Sequence, residues 1–174
     1  MPPQKKQLLV RRLALYIAAV FSSLGLNGCK TGCTARQSNA SGPHQHLRVG
    51  EAITSVVCAR RRYNDTLLFV RAGETYRFVI HSPNSWKDWY HSTCAGGYPS
   101  MFLQKPWESG RVIPTANWFA LCGEITLGER FVIGNGPSQH PFQSSGSLFL
   151  FANDHPWSYW NNFGQISVSI VRMK

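Results

Sequence analysis

The sequence predicts an all-β protein, an antiparallel β-sandwich of the jelly-roll kind, preceded by a leader and a polar tether. Three observations predict it. Beyond residue 50 the apolar residues fall in short runs rich in β-branched and aromatic side chains, each bounded by Gly, Pro, Asn or Asp. No segment after the leader carries a helical repeat of apolar positions. The last run alternates strictly, with Ile166, Val168 and Ile170 set against Gln165, Ser167 and Ser169, so that strand has one dry face and one wet face.

The chain has 174 residues, 43% of them hydrophobic, which suits one domain with a substantial core and leaves no room for a second. Residues 1–28 read as a lipoprotein signal peptide. Lys5, Lys6, Arg11 and Arg12 precede an apolar stretch from Leu13 to Leu26 that is too short and wrongly flanked for a transmembrane helix. The ending Leu26-Asn27-Gly28-Cys29 resembles the bacterial lipobox. That resemblance implies acylation of Cys29 with chains such as palmitate. Lys30 follows where an Asp would argue for retention, which favours the outer membrane of a Gram-negative envelope. Several acyl chains anchor far more firmly than one. From Lys30 to about Gly50 the chain is rich in Ser, Gly, Gln, Thr and Asn, the composition of a flexible tether. The boundaries expected are therefore 1–28 for the signal, 29–50 for the lipidated tether and 51–174 for the sandwich.

The strands expected are Ile53 to Ala59, Thr66 to Ala72, Thr75 to His81, Trp118 to Ile125, Arg130 to Ile133, Ser147 to Ala152 and Gln165 to Arg172. Ala72-Gly73-Glu74 and Leu127-Gly128-Glu129 are tight reversals, because Gly supplies the positive φ that such turns require. Residues 82–116 resist the strand pattern. They hold Pro83, Pro99, Pro106 and Pro114 among Trp86, Trp89 and Trp107, and an irregular stretch of that length usually carries function or packs over a site.

Composition narrows the function classes. Removing residues 1–28 takes four of the 18 basic residues and none of the 8 acidic ones, lowering the net charge from +10 to +6. Arg60-Arg61-Arg62 is the single basic run, without regularly interleaved aromatics or a helical face, so nucleic acid is not the expected partner. No Gly-x-Ser-x-Gly, HExxH or phosphate loop occurs, and carboxylates are sparse, so the chain does not read as an enzyme. If Cys29 is acylated, Cys33, Cys58, Cys94 and Cys122 allow two disulfides in an exported protein, with three connectivities open. His44-Gln-His46 lies in the polar segment and lacks a zinc spacing.

The stretch "FANDHPWSYWNNFG", residues 151–164, is the candidate site. It places Asp154 and the amides of Asn153, Asn161 and Asn162 between two strands, together with the main-chain carbonyls around Ser158. Calcium takes six to eight oxygen ligands of just these types, and a loop that returns on itself delivers them from both ends. The same residue types also cap ordinary turns. Five tryptophans, Trp86, Trp89, Trp107, Trp157 and Trp160, fall in loops, where amphipathic rings mark a recognition surface or pack over the end of the sandwich.

The longer run "GSLFLFANDHPWSYWNNFGQISVSI", residues 146–170, resembles the C-terminal part of the LecA-like (PA-IL type) bacterial galactose-binding lectins. The shared pattern is a Gly-led strand, Asn-Asp, a short Pro-containing loop, Asn-Asn-x-Gly and a final alternating strand. The resemblance implies a bound Ca2+ whose coordination a sugar's vicinal hydroxyls complete. It makes Asp154 the carboxylate ligand, Ser158 a ligand through its carbonyl, and Asn161 and Asn162 the amide ligands. Upstream, "AGETYRFVIHSPNSWKDW" resembles the family's strand and tryptophan-bearing loop, which implies one more carbonyl ligand, placed at Asp88. The family's His-Pro-Asp-Gln segment has no clear counterpart; His91 and Gln104 are its candidate stand-ins, and Trp157 and Trp160 replace small residues beside the cation. The function expected is calcium-dependent carbohydrate binding by an anchored lipoprotein. The alternative is a subunit of an envelope secretion or conjugation assembly whose tryptophan loops dock on a protein.

Overall fold

The computed structural model describes residues 43–81, 86–126 and 128–174. The signal peptide, Cys29, Cys33 and most of the expected tether lie outside the described residues, as does Leu127 of the second expected turn. Among the described residues no helix is long and apolar enough to cross a membrane.

Among the described residues ten strands form two antiparallel sheets, and the protein is a β-sandwich. The first sheet contains β1 (Ala52–Cys58), β3 (Thr75–Ile80), β4 (Trp86–Asp88), β5 (His91–Thr93), β8 (Ser138–Pro141) and β10 (Asn162–Arg172). The second has the order β2 (Asn64–Val70), β9 (Gly146–Ala152), β6 (Leu121–Ile125) and β7 (Arg130–Val132). β10 organises the first sheet. Along one edge it pairs with β1, Val171 opposite Ala52 through Gln165 opposite Cys58. Its other partners are β3, with Val168 opposite Ile80, and β4, with Asn162 opposite Asp88. The sequence between β3 and β4 contains Pro83, which has no N–H to give to a ladder.

The expected alternation holds through β10. Ile166, Val168 and Ile170 are fully buried and meet Tyr76 and Phe78 of β3 and Leu148 and Leu150 of β9 in one core. The Ala72-Gly73-Glu74 reversal is present, with Gly73 at φ +85 and the Glu74 N–H donating to the Arg71 carbonyl. β2 bends at Leu67, whose φ of +57 accompanies a register shift between Asp65 and Phe69.

The structure differs from the sequence-based reading in six places, the first being the short strands β4 and β5, which form inside the stretch 82–116 expected to be irregular. β8 forms from the polar run Ser138–Pro141, which has no apolar period to announce it and is held by the register of β3. Phe102–Gly110 is a 3-10 helical segment, where no helix is expected. Trp118 precedes β6 and makes an isolated bridge to Tyr98. Residues 43–50 are packed against the domain within what reads as tether. Gln45 hydrogen-bonds along β2 to Leu67 and Phe69, Leu47 is buried in the core, and His44 and His46 are paired with Asp65 and Glu74. Finally, Cys94 and Cys122 are free thiols, so the two disulfides that four cysteines would allow do not both form; Cys58 is disulfide-bonded. Cys122 is buried within β6, where burial pushes its thiol up and leaves it an inert apolar group.

Candidate functional site

The C-terminal end of β9, the start of β10 and the β4–β5 hairpin come together at one end of the sandwich. The β-pairing determines this convergence. Asn162, the first residue of β10, lies opposite Asp88, the last of β4, and Asp88 lies opposite His91 across the hairpin. From β9 the chain runs through Asn153 and Asp154 into the loop and back through a short 3-10 turn, Tyr159–Asn161.

Asp154 is 1% exposed. One carboxylate oxygen accepts the His155 N–H at 2.6 Å and the other accepts Asn162 Nδ2 at 2.9 Å. Burial pushes its carboxyl up to about 6, and the Asp88 charge adds to the rise, against the lowering effect of those two hydrogen bonds. Neither donor is cationic, and among the described residues no cationic side chain bonds to this buried carboxylate. Asn162 is fully buried, its Nδ2 also reaching the Ala59 carbonyl at 3.3 Å. Its Oδ1, and the Oδ1 of Asn161, are buried acceptors with no donor among the described residues. Each orphaned acceptor costs about 1–3 kcal/mol unless a donor or cation reaches it. Ser158 accepts the Asn161 N–H on its carbonyl at 3.1 Å, which leaves the second lone pair of that oxygen available.

Asp154, Ser158, Asn161 and Asp88 all line one open cavity of about 870 Å3, and Asn162 bonds to Asp154 beneath it. Asp88, expected to contribute its main-chain carbonyl, lines the cavity, and its carboxylate accepts a very short hydrogen bond from the Tyr98 hydroxyl. Gln104 Nε2 in turn donates to the Tyr98 oxygen at 3.0 Å, and the His91 ring lies against the Tyr98 ring with centroids 4.3 Å apart. Burial raises the Asp88 carboxyl, with the Tyr98 hydrogen bond opposing it. Burial and the Asp88 charge raise the Tyr98 hydroxyl, so it remains a donor at neutral pH. His91 and Gln104 thus enter through this network.

Asn153 does something else. Its side chain is fully buried, accepting the Ile113 N–H at 2.9 Å and donating to the carbonyls of Ile113 and Asn117 at 2.9 and 3.0 Å. It fastens residues 113–117 to the end of β9.

The tryptophans separate by position. Trp86 is fully buried, edge-on to Phe119, and belongs to the core. Trp89, Trp107 and Trp157 line the cavity and are solvent-exposed. Trp160, expected to contact the ligand, is exposed but does not line it; its carbonyl accepts from Arg60 Nη2 at 2.8 Å. Tyr98 and Phe102, which line the cavity, carry no motif of their own in the sequence. The signal that points to them is the length of the irregular stretch 82–116.

The donors at this site are one buried carboxylate, a second carboxylate close enough to raise it, two orphaned amide oxygens and a main-chain carbonyl. That all-oxygen set fits a hard cation such as Ca2+. Among the described residues no group of three His, Cys, Asp or Glu forms a metal cluster, so a cation here would rely on amide and carbonyl oxygens.

No protein-family model matches the sequence, and no curated protein matches it. Among solved structures, one described as the EclA N-terminal domain, a PllA-like lectin, superposes with a TM-score of 0.52 at 20% sequence identity. The match covers 70% of this chain and 97% of that one. The two share a fold, and the present chain is lectin-like in architecture.

Proposed function

We propose that the protein is a lipid-anchored lectin-like module that binds carbohydrate with the help of calcium. The observation that carries this reading is the pair of buried, unpartnered oxygens on Asn161 and Asn162 beside the buried carboxylate of Asp154. Asp154, Asn161, Asn162 and the Ser158 carbonyl would hold the ion, with Asp88 beside it. When bound, calcium supplies coordination positions that vicinal sugar hydroxyls can fill, an interaction for which neutral amides are a weak substitute. The similarity to a PllA-like lectin supports the reading at the level of the fold. With few carboxylates the calcium affinity belongs with extracellular modules, a Kd of about 10⁻⁴–10⁻³ M. The anchor at Cys29 and an outer-membrane address follow from the signal-like N-terminus, and radiolabelled palmitate incorporation that disappears in Cys29→Ser tests them.

A second reading keeps the fold and replaces the sugar with an envelope protein. It draws on the exposure of Phe102 (83%) and Trp157 (82%), since large exposed aromatics commonly mark protein interfaces. Calorimetry separates the two. The full chain is titrated with Ca2+ and then with galactose and a panel of glycans, in parallel with Asp154→Ala. Calcium heat that vanishes in the variant, with glycan binding only when the ion is present, supports the lectin reading. Glycan-independent behaviour and indifference to chelation would sink it in favour of the protein partner.

A further inference from the structure

The cavity is larger and more aromatic than a single sugar ring on a cation requires. Its volume of about 870 Å3 lies near the top of the range in which proteins bury whole drug-sized ligands. Trp89 and Tyr90 reach it from the β4–β5 turn, Phe102 and Trp107 from the 3-10 segment, and Trp157 from the loop after β9. All five are exposed, and they come from three separate stretches of chain.

Trp89 adds an independent observation. It is the first of the two residues between Asp88 and His91, and its φ is +51, a backbone conformation that hairpins ordinarily assign to Gly and that bulky residues rarely adopt. The indole so positioned is 64% exposed, so core packing does not compensate the strained backbone. Strain of this kind gathers at binding sites, where the side chain's position serves the ligand.

Charge narrows the ligand further. The carboxylates of Asp88 and Asp154 line the cavity, with His91 and His155, and among the described residues no Lys or Arg does. A divalent cation would balance the two carboxylates and leave no surplus positive charge, although the chain as a whole is basic. An acidic sugar would therefore find no counter-ion there, whereas the apolar faces of neutral sugar rings would find aromatic surface.

We propose that the site takes a neutral oligosaccharide of two or more residues, its terminal sugar at Asp154, Asn161 and Asn162 and its following residues against Trp89, Trp107 and Trp157. This rests on the calcium-and-sugar reading above and specifies its ligand class. The test uses the full chain loaded with Ca2+. Calorimetry compares galactose, mannose and fucose with neutral tetrasaccharides ending in each, and with the same tetrasaccharides carrying a sialic acid. The expected result is a neutral tetrasaccharide at least about tenfold tighter than its terminal sugar, with the sialylated form weaker. Trp89→Gly and Trp107→Ala should each reduce that gain about three- to tenfold, with calcium affinity and melting temperature recorded on the same variants to monitor folding. Trp89→Gly relieves the backbone, so a loss of affinity in a more stable protein would assign the indole to the ligand. If a monosaccharide binds and its tetrasaccharide is no tighter, or the acidic form is tighter, the oligosaccharide inference fails while the sugar site stands. If calcium binds and no sugar does, both fail.

Discussion

Asn153 and Asn162 show how one residue type serves two ends a few positions apart. Asn153 satisfies both ends of its amide within the protein, while Asn162 leaves its oxygen unpartnered next to a buried carboxylate. Asn153→Ala should therefore cost about 2–4 kcal/mol of stability, since it strips partners from the Ile113 N–H and from the carbonyls of Ile113, Ala116 and Asn117, and denaturant unfolding would measure it. The equivalent change at Asn162 should register chiefly in calcium affinity. The resemblance of residues 146–170 to the LecA-like pattern is what singles out Asp154, Asn161 and Asn162 as a set in the sequence. Residue type alone does not separate Asn153 from them, nor the buried Trp86 from the exposed Trp89. In each case the deciding partner, residues 113–117 or Phe119, lies far along the chain.

Elements place these residues, and β10 does most of the placing through its pairing with β1, β3 and β4. Its alternation was readable because one face is dry and the other wet. The short strands β4 and β5 were not, since three residues with a bulky turn carry no period and exist only through the register of their neighbours. The Tyr98–Trp118 bridge does the same for the Tyr98 network. Gly97 precedes it at φ +69, and a Cβ there would stand 2.1 Å from the Trp118 carbonyl and 2.5 Å from the Ala120 nitrogen. Gly97→Ala should destabilise the domain by about 2–4 kcal/mol and weaken calcium binding by displacing Tyr98 from Asp88. Thermal denaturation alongside calcium titration would detect both effects. Normal calcium affinity in a destabilised variant would uncouple the bridge from the site.

Across the molecule, acid-dependent pairings hold peripheral segments to the sandwich. Glu74 joins His46, Tyr76 and Arg172, and Glu129 joins His140 and the residues around Ser144. Burial alone would push both carboxyls up, yet the hydrogen bonds around them together hold each below its ordinary value of 4.5. A depressed carboxyl contributes stability that is present above 4.5 and lost as pH falls through the folded value. The melting temperature should accordingly fall with acidification below about pH 4.5, and Glu74→Gln should flatten that fall at the cost of a lower plateau. Long-range pairs of this kind explain why residues 43–50 read as tether: the side chains of His44 and His46 look solvated until the distant acids that receive them, Asp65 and Glu74, are known.

The claim on which the functional account turns is that Asp154, Asn161 and Asn162 hold a hard cation. Terbium, a luminescent substitute for calcium, tests it most directly, because Trp157 and Trp107 line the same cavity and would sensitise its emission. The account predicts tryptophan-sensitised terbium emission from the full chain, displaced by millimolar calcium and absent in Asp154→Ala. No sensitised emission, or emission unchanged by calcium and by that substitution, would contradict it.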